Sequence, residues 1–516
     1  MNCTASPEAT PLRISLLLVL LWVASILVRW PAFNQQSALQ GLEATYHMLW
    51  TARVFESAPL ESHWFLPSVT LDPDPEDPIR WGATVPTSAG SFIYTSFPPL
   101  GFLIAFLIAL WVEQVDRFML LGLANSLVGL IAAILLARLV TAVFQALRPD
   151  QESRRSTVFL TTFTLYLFSR EALLSHGAVF WGHSISQLCL FAGLLSWWRV
   201  LQGDGGKRSV AGLVVIAFIY PSLEWTGFVF NAGIVFLSLA TLLKETPDRY
   251  LLHVCGGVIV STIAAGALLV GHFIISIGID PLRSALMSRA SARGGTFDAL
   301  SSLPIDYVIS FGLAAPIGLV CLLKILRGGT REPHSPYRLL LLASLFPMLA
   351  NILLAQHAHL FSFDRLKLAA PLAIAIIGVV ATTRIERCRA LFLGGVALTL
   401  VSNVGLYLYE QERKRPWQDI IARNDAATAA LQSEPLSTCA LTGTAAVPRG
   451  NANLMLAVDI VAVSETDELL ARARRRGSCA VVLVDFSSPY KDLHQIEAID
   501  LYSLDGQPMR TIFPTR

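Results

Sequence analysis

Apolar runs of membrane-spanning length recur along most of this chain, and no other feature limits its folding as much. The first, Leu12–Val28, is close to the ~20 helical residues that cross a hydrocarbon core. Further runs at 118–144, 157–168, 185–201, 209–221, 226–243, 251–277, 305–325, 337–355, 366–383 and 390–408 bring the candidate spans to about eleven. With 54% hydrophobic and only 15% charged residues in 516, a soluble core could not hide this much apolar surface. The expected fold class is an α-helical polytopic membrane protein. Pro98–Val112, opened by a proline pair, is shorter than a comfortable span and suits a re-entrant or interfacial helix. The first run lacks a small-residue cleavage site and reads as a retained anchor.

Charge placement reports topology. The loops carrying Arg148, Arg154, Arg155, Arg199, Lys207, Arg208, Lys324, Arg327 and Arg331 are far richer in basic residues than the alternate loops, so they are expected in the cytoplasm. The N-terminus is then cytoplasmic, and the C-terminal segment and the long first loop, 30–117, are extracytoplasmic. Whether Pro98–Val112 crosses decides the side of that loop. A net charge of +2, with basic residues scattered over short loops, gives no footprint for nucleic acid.

The apolar pattern stops near residue 409, which divides the chain into a membrane domain, 1–409, and a soluble domain, 410–516. Short apolar runs at 437–441, 455–463 and 479–485 read as strands, and 417–432 and 465–476 as helices, giving an α/β class. Arg472, Arg474, Arg475 and Arg476 suit a solvated helix end. Cys439 and Cys479 stand at the start of two such strands, which leaves a disulfide open in an oxidising compartment. None of the cysteines has metal-ligand spacing.

Candidate chemistry gathers in the loops on the extracytoplasmic side. Glu43, His47 and Trp50 fall on one helical face, and Glu43 could accept a proton from an acceptor group; the alternative is that it only solvates a helix start. His47 and His183 could assist proton transfer. Tyr94, in Tyr94-Thr95-Ser96-Phe97-Pro98-Pro99, and Trp225, beside Glu224, are candidate substrate contacts. Glu171 and His176 add polar groups to a further loop of this set. Arg283, Arg289, Arg293, His359, Arg365 and Lys367, with His357 and Asp364 nearby, put cationic groups where the positive-inside rule disfavours them. A bound phosphate would explain them, because Arg engages phosphate bidentately; solvation of an interfacial helix or of lipid headgroups is the alternative.

An acid after the first span, a long loop closing with an aromatic and Pro98-Pro99-Leu100, many spans, a late basic/His cluster and a soluble tail together resemble the GT-C class of membrane glycosyltransferases. The pattern is similar to the aminoarabinose-transferase and protein O-mannosyltransferase-like families, over about residues 10–410. The resemblance implies a polyprenyl-phosphate sugar donor, an extracytoplasmic glycan, lipid or protein acceptor, and a bacterial inner membrane. It places the first-loop acid on Glu43 and the late basic motif on His359, Asp364, Arg365 and Lys367. The second acid of the class falls near His183, which is not acidic. No cofactor follows from the residues; a divalent cation remains an alternative, although such ions favour carboxylate ligands.

The expected function is therefore an inverting membrane glycosyltransferase, with Glu43 as base and the cationic residues neutralising the leaving phosphate. Two rivals stand beside it: a transporter or flippase for an amphipathic substrate, and a non-catalytic relative. A transporter predicts ionisable groups buried in helices and broken helices in symmetric halves, whereas charged residues are almost absent from these apolar runs.

Overall fold

The computed structural model describes residues 11–33, 42–68, 84–112, 117–203, 206–243, 249–293, 297–327, 335–382, 389–413, 415–437, 439–444, 459–461, 463, 465–490 and 493–513. Among the described residues, seven helices are long and apolar enough to cross a membrane, or eight if one bent pair is counted as a span. The chain is an integral membrane protein. Its helices are α1 (Pro11–Phe33), α2 (Leu42–Ser57), α3 (Leu60–His63), α4 (Leu100–Ala109), α5 (Arg117–Leu147), α6 (Arg155–Leu167), α7 (Arg170–Ser175), α8 (Gly182–Leu201), α9 (Gly206–Leu223) and α10 (Thr226–Leu242). There follow α11 (Arg249–Ile277), α12 (Ile279–Arg293), α13 (Phe297–Phe311), α14 (Ala314–Arg327), α15 (Pro336–Leu353), α16 (Ala355–Leu360), α17 (Ala369–Thr382), α18 (Arg389–Arg413) and α19 (Arg415–Gln432).

Several expected spans change on folding. The run 305–325 is two helices, α13 and α14, bent by 116°. The reversal runs through Gly312 at φ 57°, and a Cβ there would lie 2.8 Å from Asn403 Oδ1, so both conformation and space require glycine. The helices α6 and α10, at 13 and 17 residues, fall short of the ~20 residues that cross a hydrocarbon core. The proline-opened segment forms only the ten-residue α4, consistent with a helix that does not cross.

Lipid tails are as apolar as leucine, so these helices are held by close packing and polar ties more than by hydrophobic exclusion. A methyl at Gly233 would stand 2.3 Å from Phe346 Cγ, and one at Gly129 2.6 Å from His176 Cβ. The largest core lies among α5, α8, α9, α10, α15 and α17, around Trp197, Phe191, Phe230 and Leu340. α1 is exposed along Leu12, Leu16, Leu20 and Leu27 yet is pinned by Trp22 Nε1, which donates to Ser126 O and Oγ at 3.0 Å. The buried Arg29 donates to the carbonyls of Ser25 and His176. Asn125 Nδ2 lies 2.9 Å from the carbonyls of Ser175, Gly177 and Val179. These contacts fix the segment between α7 and α8, whose backbone would otherwise be unsatisfied in a buried setting.

A second core holds α2, α4 and the stretch 92–97 against 173–185, around Trp50, Phe102, Phe97 and Trp181. The strands β1 (Thr84–Pro86) and β2 (Phe92–Tyr94) pair antiparallel, with Thr84 opposite Tyr94. Beyond α18 the strands β3 (Leu441–Thr444), β4 (Asp459–Val461), β5 (Ala480–Tyr490), β6 (Leu493–Ser503) and β7 (Pro508–Ile512) form one sheet, ordered β4-β3-β5-β6-β7. β3 runs parallel to β4 and β5, while β5–β6 and β6–β7 are antiparallel. α19 packs over β6, and the helix Thr466–Arg476 over β3 and β5, covering the sheet's apolar residues. The hairpin β6–β7 was not among the expected strands. Cys439 and Cys479 form a disulfide across the starts of the parallel neighbours β3 and β5.

Candidate active site

Five segments that are distant in sequence converge where α2, the 92–97 stretch, the start of α8, the α9–α10 corner and residues 357–367 meet. His47 sits edge-on to Tyr94, with ring centroids 4.5 Å apart, and 5.7 Å from Trp181. Phe97 packs 4.9 Å from Trp181, 5.2 Å from His183 and 6.2 Å from His357. These rings make a wall between α2 and the charged groups beyond. Burial depresses the His47 imidazole to about 3, with the Arg289 charge adding to the effect, so it is neutral at ordinary pH.

Two polar ties hold the wall. Trp225 Nε1 donates to Ser96 O at 2.8 Å. Arg289 Nε, from α12, donates to Ser96 Oγ at 2.7 Å, and its guanidinium stands 5.9 Å from the Tyr94 ring centroid. Arg289 is half-buried, which leaves one edge of a strong phosphate binder near the first-loop residues.

Behind the wall lies a buried group of charges. The 3-10 turn Ser362–Leu368 brings Asp364 and Lys367 inward together. Asp364 Oδ1 meets His183 Nε2 at 3.0 Å, its Oδ2 meets His357 Nδ1 at 2.9 Å, and Lys367 Nζ also bonds Oδ1. Lys367 Nζ lies 2.6 Å from Glu224 Oε1, and Ser186 Oγ donates to Glu224 Oε2 at 2.6 Å. Burial works to raise the Glu224 carboxyl, but the neighbouring His183 and Lys367 outweigh it and hold it below the usual carboxylate range. Glycine allows this assembly: a Cβ on Gly182 would stand 2.7 Å from Leu223 O, so only glycine lets α8 start against the end of α9 and bring His183 to Glu224.

A second charged group adjoins the first. Arg365 reaches Asp306 Oδ1 of α13 at 3.4 Å and Glu171 Oε2 of α7 at 3.9 Å, while His359 Nδ1 contacts Asp306 Oδ2 at 2.8 Å. Arg170 bonds Glu410 of α18 and lies 3.5 Å from Glu171. Burial would weaken the Arg170 charge, yet Glu171 and Glu410 prevail and raise it above the ordinary arginine range.

The structure thus brings His47, Tyr94, His183, Trp225, Arg289 and Lys367 into one continuous set of contacts, with Arg365 and His359 beside it. Arg283 is exposed on α12 and outside that set. Glu43 stands in the first turn of α2 and Arg293 ends α12; both side chains lie outside the described residues. Lys367 is enclosed by two carboxylates. Sequence reasoning named Glu171, Glu224, His357 and Asp364 without committing to them, and it missed Asp306, within α13, and Glu410, in the polar last turn of α18, as site residues. Asp306 is inside α13, and Asp364, Arg365 and Lys367 are buried at the start of the stretch Ser362–Thr382. Asp306 and Glu410, single acids near the ends of long apolar runs, were the available signal.

His183, His357 and Asp364 each bring a potential ligand atom within 4.8 Å of the others, the geometry of a metal site. The surrounding chemistry does not fit one. The Lys367 ammonium already bonds the Asp364 and Glu224 oxygens that a cation would need.

No family model and no curated protein matches the chain. Solved structures do. The apo Archaeoglobus fulgidus oligosaccharyltransferase aligns at a TM-score of 0.52 and 14% identity, over 93% of this chain and 70% of that one. The A. fulgidus oligosaccharyltransferase AglB, in complex with an inhibitory peptide and a dolichol-phosphate, aligns at 0.52 and 12% over 91% and 69%. ArnT from Cupriavidus metallidurans, bound to undecaprenyl phosphate, aligns at 0.51 and 13% over 94% and 98%. At such identities the likeness is one of fold, and it is the GT-C fold that the first-loop acid and the Pro98-Pro99-Leu100 pattern resemble.

Proposed function

We propose that the chain is a glycosyltransferase that moves a sugar from a polyprenyl-phosphate donor to an extracytoplasmic glycan, lipid or protein. The observation that carries this reading is the convergence of His47, Tyr94, Trp225 and Arg289 on an aromatic wall backed by Glu224, Asp364 and Lys367. Neighbours of the same fold bound to undecaprenyl phosphate and dolichol-phosphate support the donor class. Arg289 is the best placed candidate for the donor phosphate, because its guanidinium is cationic, oriented by Ser96 and only half-buried. His359, with its side chain 41% exposed, is a second candidate.

Glu43 takes the acceptor proton, and the sugar passes to the acceptor by direct displacement with inversion. The neutral His47 and the rings around it exclude water from the transfer path, and the cations stabilise the departing phosphate, the largest protein contribution to such a step. Arg365 and Lys367 act as internal counter-ions that hold carboxylates in place, not as phosphate ligands. The residues after α18 form a separate extracytoplasmic α/β domain, and the N-terminus is cytoplasmic. A bacterial inner membrane suits this arrangement.

The test is transfer of radiolabelled sugar from a panel of polyprenyl-phosphate donors by membranes carrying the chain or its Glu43→Gln variant. Transfer by the wild type, reduced more than about a hundredfold in the variant, is expected. A flippase is the second reading, favoured by the buried charges and by the broken pair α13–α14. It predicts lipid movement without sugar transfer and no effect of Glu43→Gln.

A further inference from the structure

We propose that the Lys367 ammonium occupies the place of a divalent cation, so that the wild-type chain binds none there, and that removing this ammonium converts the pocket into a metal site. The pocket holds two carboxylates, Glu224 and Asp364, and two imidazoles, His183 and His357, all buried. That is a ligand set suited to a divalent ion such as Zn2+ or Mn2+. The distances centre on Asp364: His183 Nε2 at 3.0 Å and His357 Nδ1 at 2.9 Å, with Lys367 Nζ bonding the same carboxylate and lying 2.6 Å from Glu224.

The charge balance gives the argument its direction. The two carboxylates carry two negative charges and the Lys367 ammonium, which contacts both, returns one, so the ammonium does part of a cation's work between them. A divalent ion could enter only by displacing Lys367, and the displaced ammonium would then be buried beside a like charge, which opposes entry. Truncating Lys367 to a neutral chain of similar length reverses the balance. The two buried carboxylates then keep only imidazole and hydroxyl partners, and a divalent ion is the group that satisfies them.

The proposal concerns cation binding and does not depend on the transfer reaction, so it stands or falls without a sugar donor. Wild-type protein, Lys367→Met and Lys367→Arg are purified in detergent, equilibrated separately with Zn2+ or Mn2+, desalted and measured for metal content and melting temperature. Lys367→Met is expected to retain about one ion per chain and to melt higher with the ion than without it. Asp364→Asn in the Lys367→Met background should abolish that retention. Wild type and Lys367→Arg should retain none, and chelator should leave the wild-type melting temperature unchanged. A wild-type chain that holds about one ion, lost together with its stability on chelation, overturns the proposal. So does a folded Lys367→Met protein that binds no more metal than wild type. Should Lys367→Met not fold without metal, folding restored by added Zn2+ or Mn2+ supports the proposal and failure of both ions to restore it counts against it.

Discussion

Arg289 Nε donates to Ser96 Oγ at 2.7 Å, a bond that ties α12 to the stretch behind Tyr94 across 193 residues. If this guanidinium also meets the donor phosphate, Arg289→Ala should raise the donor KM at least about tenfold, and Arg289→Lys should recover only part of the loss, since lysine lacks the planar fork. Donor-concentration series on the two variants decide it. An unchanged KM in both would leave Arg289 a purely structural tie.

The buried Glu224–Lys367 pair makes a prediction about stability. Glu224→Gln leaves Lys367 with one carboxylate instead of two and should destabilise the protein by about 3–5 kcal/mol, the usual cost of stripping a partner from a buried charge. Glu224→Gln combined with Lys367→Met should cost less than the sum of the two single changes. Denaturation in detergent measures both; strict additivity would show the two groups to be uncoupled.

Acid should weaken the fold partly through His47. Unfolded, this imidazole takes a proton near its ordinary 6.5; folded, it does so only near 3, because of burial and then Arg289. Between those values the unfolded state binds more protons, so stability falls as pH drops from about 6.5 towards 3, and nothing from this residue is lost above 6.5. His176 is held to about 3 by burial and then Arg29, and contributes a slope of the same sign. The His47→Gln variant should therefore keep a shallower acid limb than wild type when melting temperatures are compared from pH 7 to 4.

Gly182 tests whether the meeting of α8 and α9 matters to function. A methyl there would meet Leu223 O at 2.7 Å, forcing His183 away from Glu224, whereas one at Gly212 meets nothing closer than Ser196 Oγ at 3.5 Å. Gly182→Ala should cost about 1–3 kcal/mol of stability and most of the transfer activity. Gly212→Ala, on the neighbouring helix, should leave both nearly unchanged.

Much of this site was legible because polar residues in the loops between the apolar runs of a membrane protein are few enough to stand out. His47, Tyr94, His183, Trp225 and Arg289 were all found that way. Their partners were harder to find. Asp306 falls inside an apolar run, where the sequence shows no hint that Gly312 turns the chain back on itself and carries the carboxylate to Arg365. The hairpin of the tail was hidden by an irregularity. Ile496 and Ile499 are both fully buried, yet three residues apart they break the alternation of a strand. The pairing explains it, since Asp485 stands opposite Ala498 while Phe486 stands opposite Ile496, and the extra residue is taken up in a bulge.

The disulfide gives the tail a stability of its own kind. Closing a loop of 40 residues restrains the unfolded chain by about 4 kcal/mol on loop-entropy grounds, so Cys439→Ser should release about 2–4 kcal/mol from the sheet. Melting of the tail with and without reductant measures this, and reductant should have no further effect on the variant.

That same bond sets a clock on the making of the protein. At roughly 5–20 residues per second, the sulfur of Cys439 waits about two to eight seconds for Cys479 to be synthesised. During that interval β3 can pair with neither its later neighbour nor its covalent partner, and the thiol is open to any oxidant or stray cysteine it meets. The sheet is therefore completed only after the membrane helices have all been made, and in an order that chemistry as well as sequence enforces.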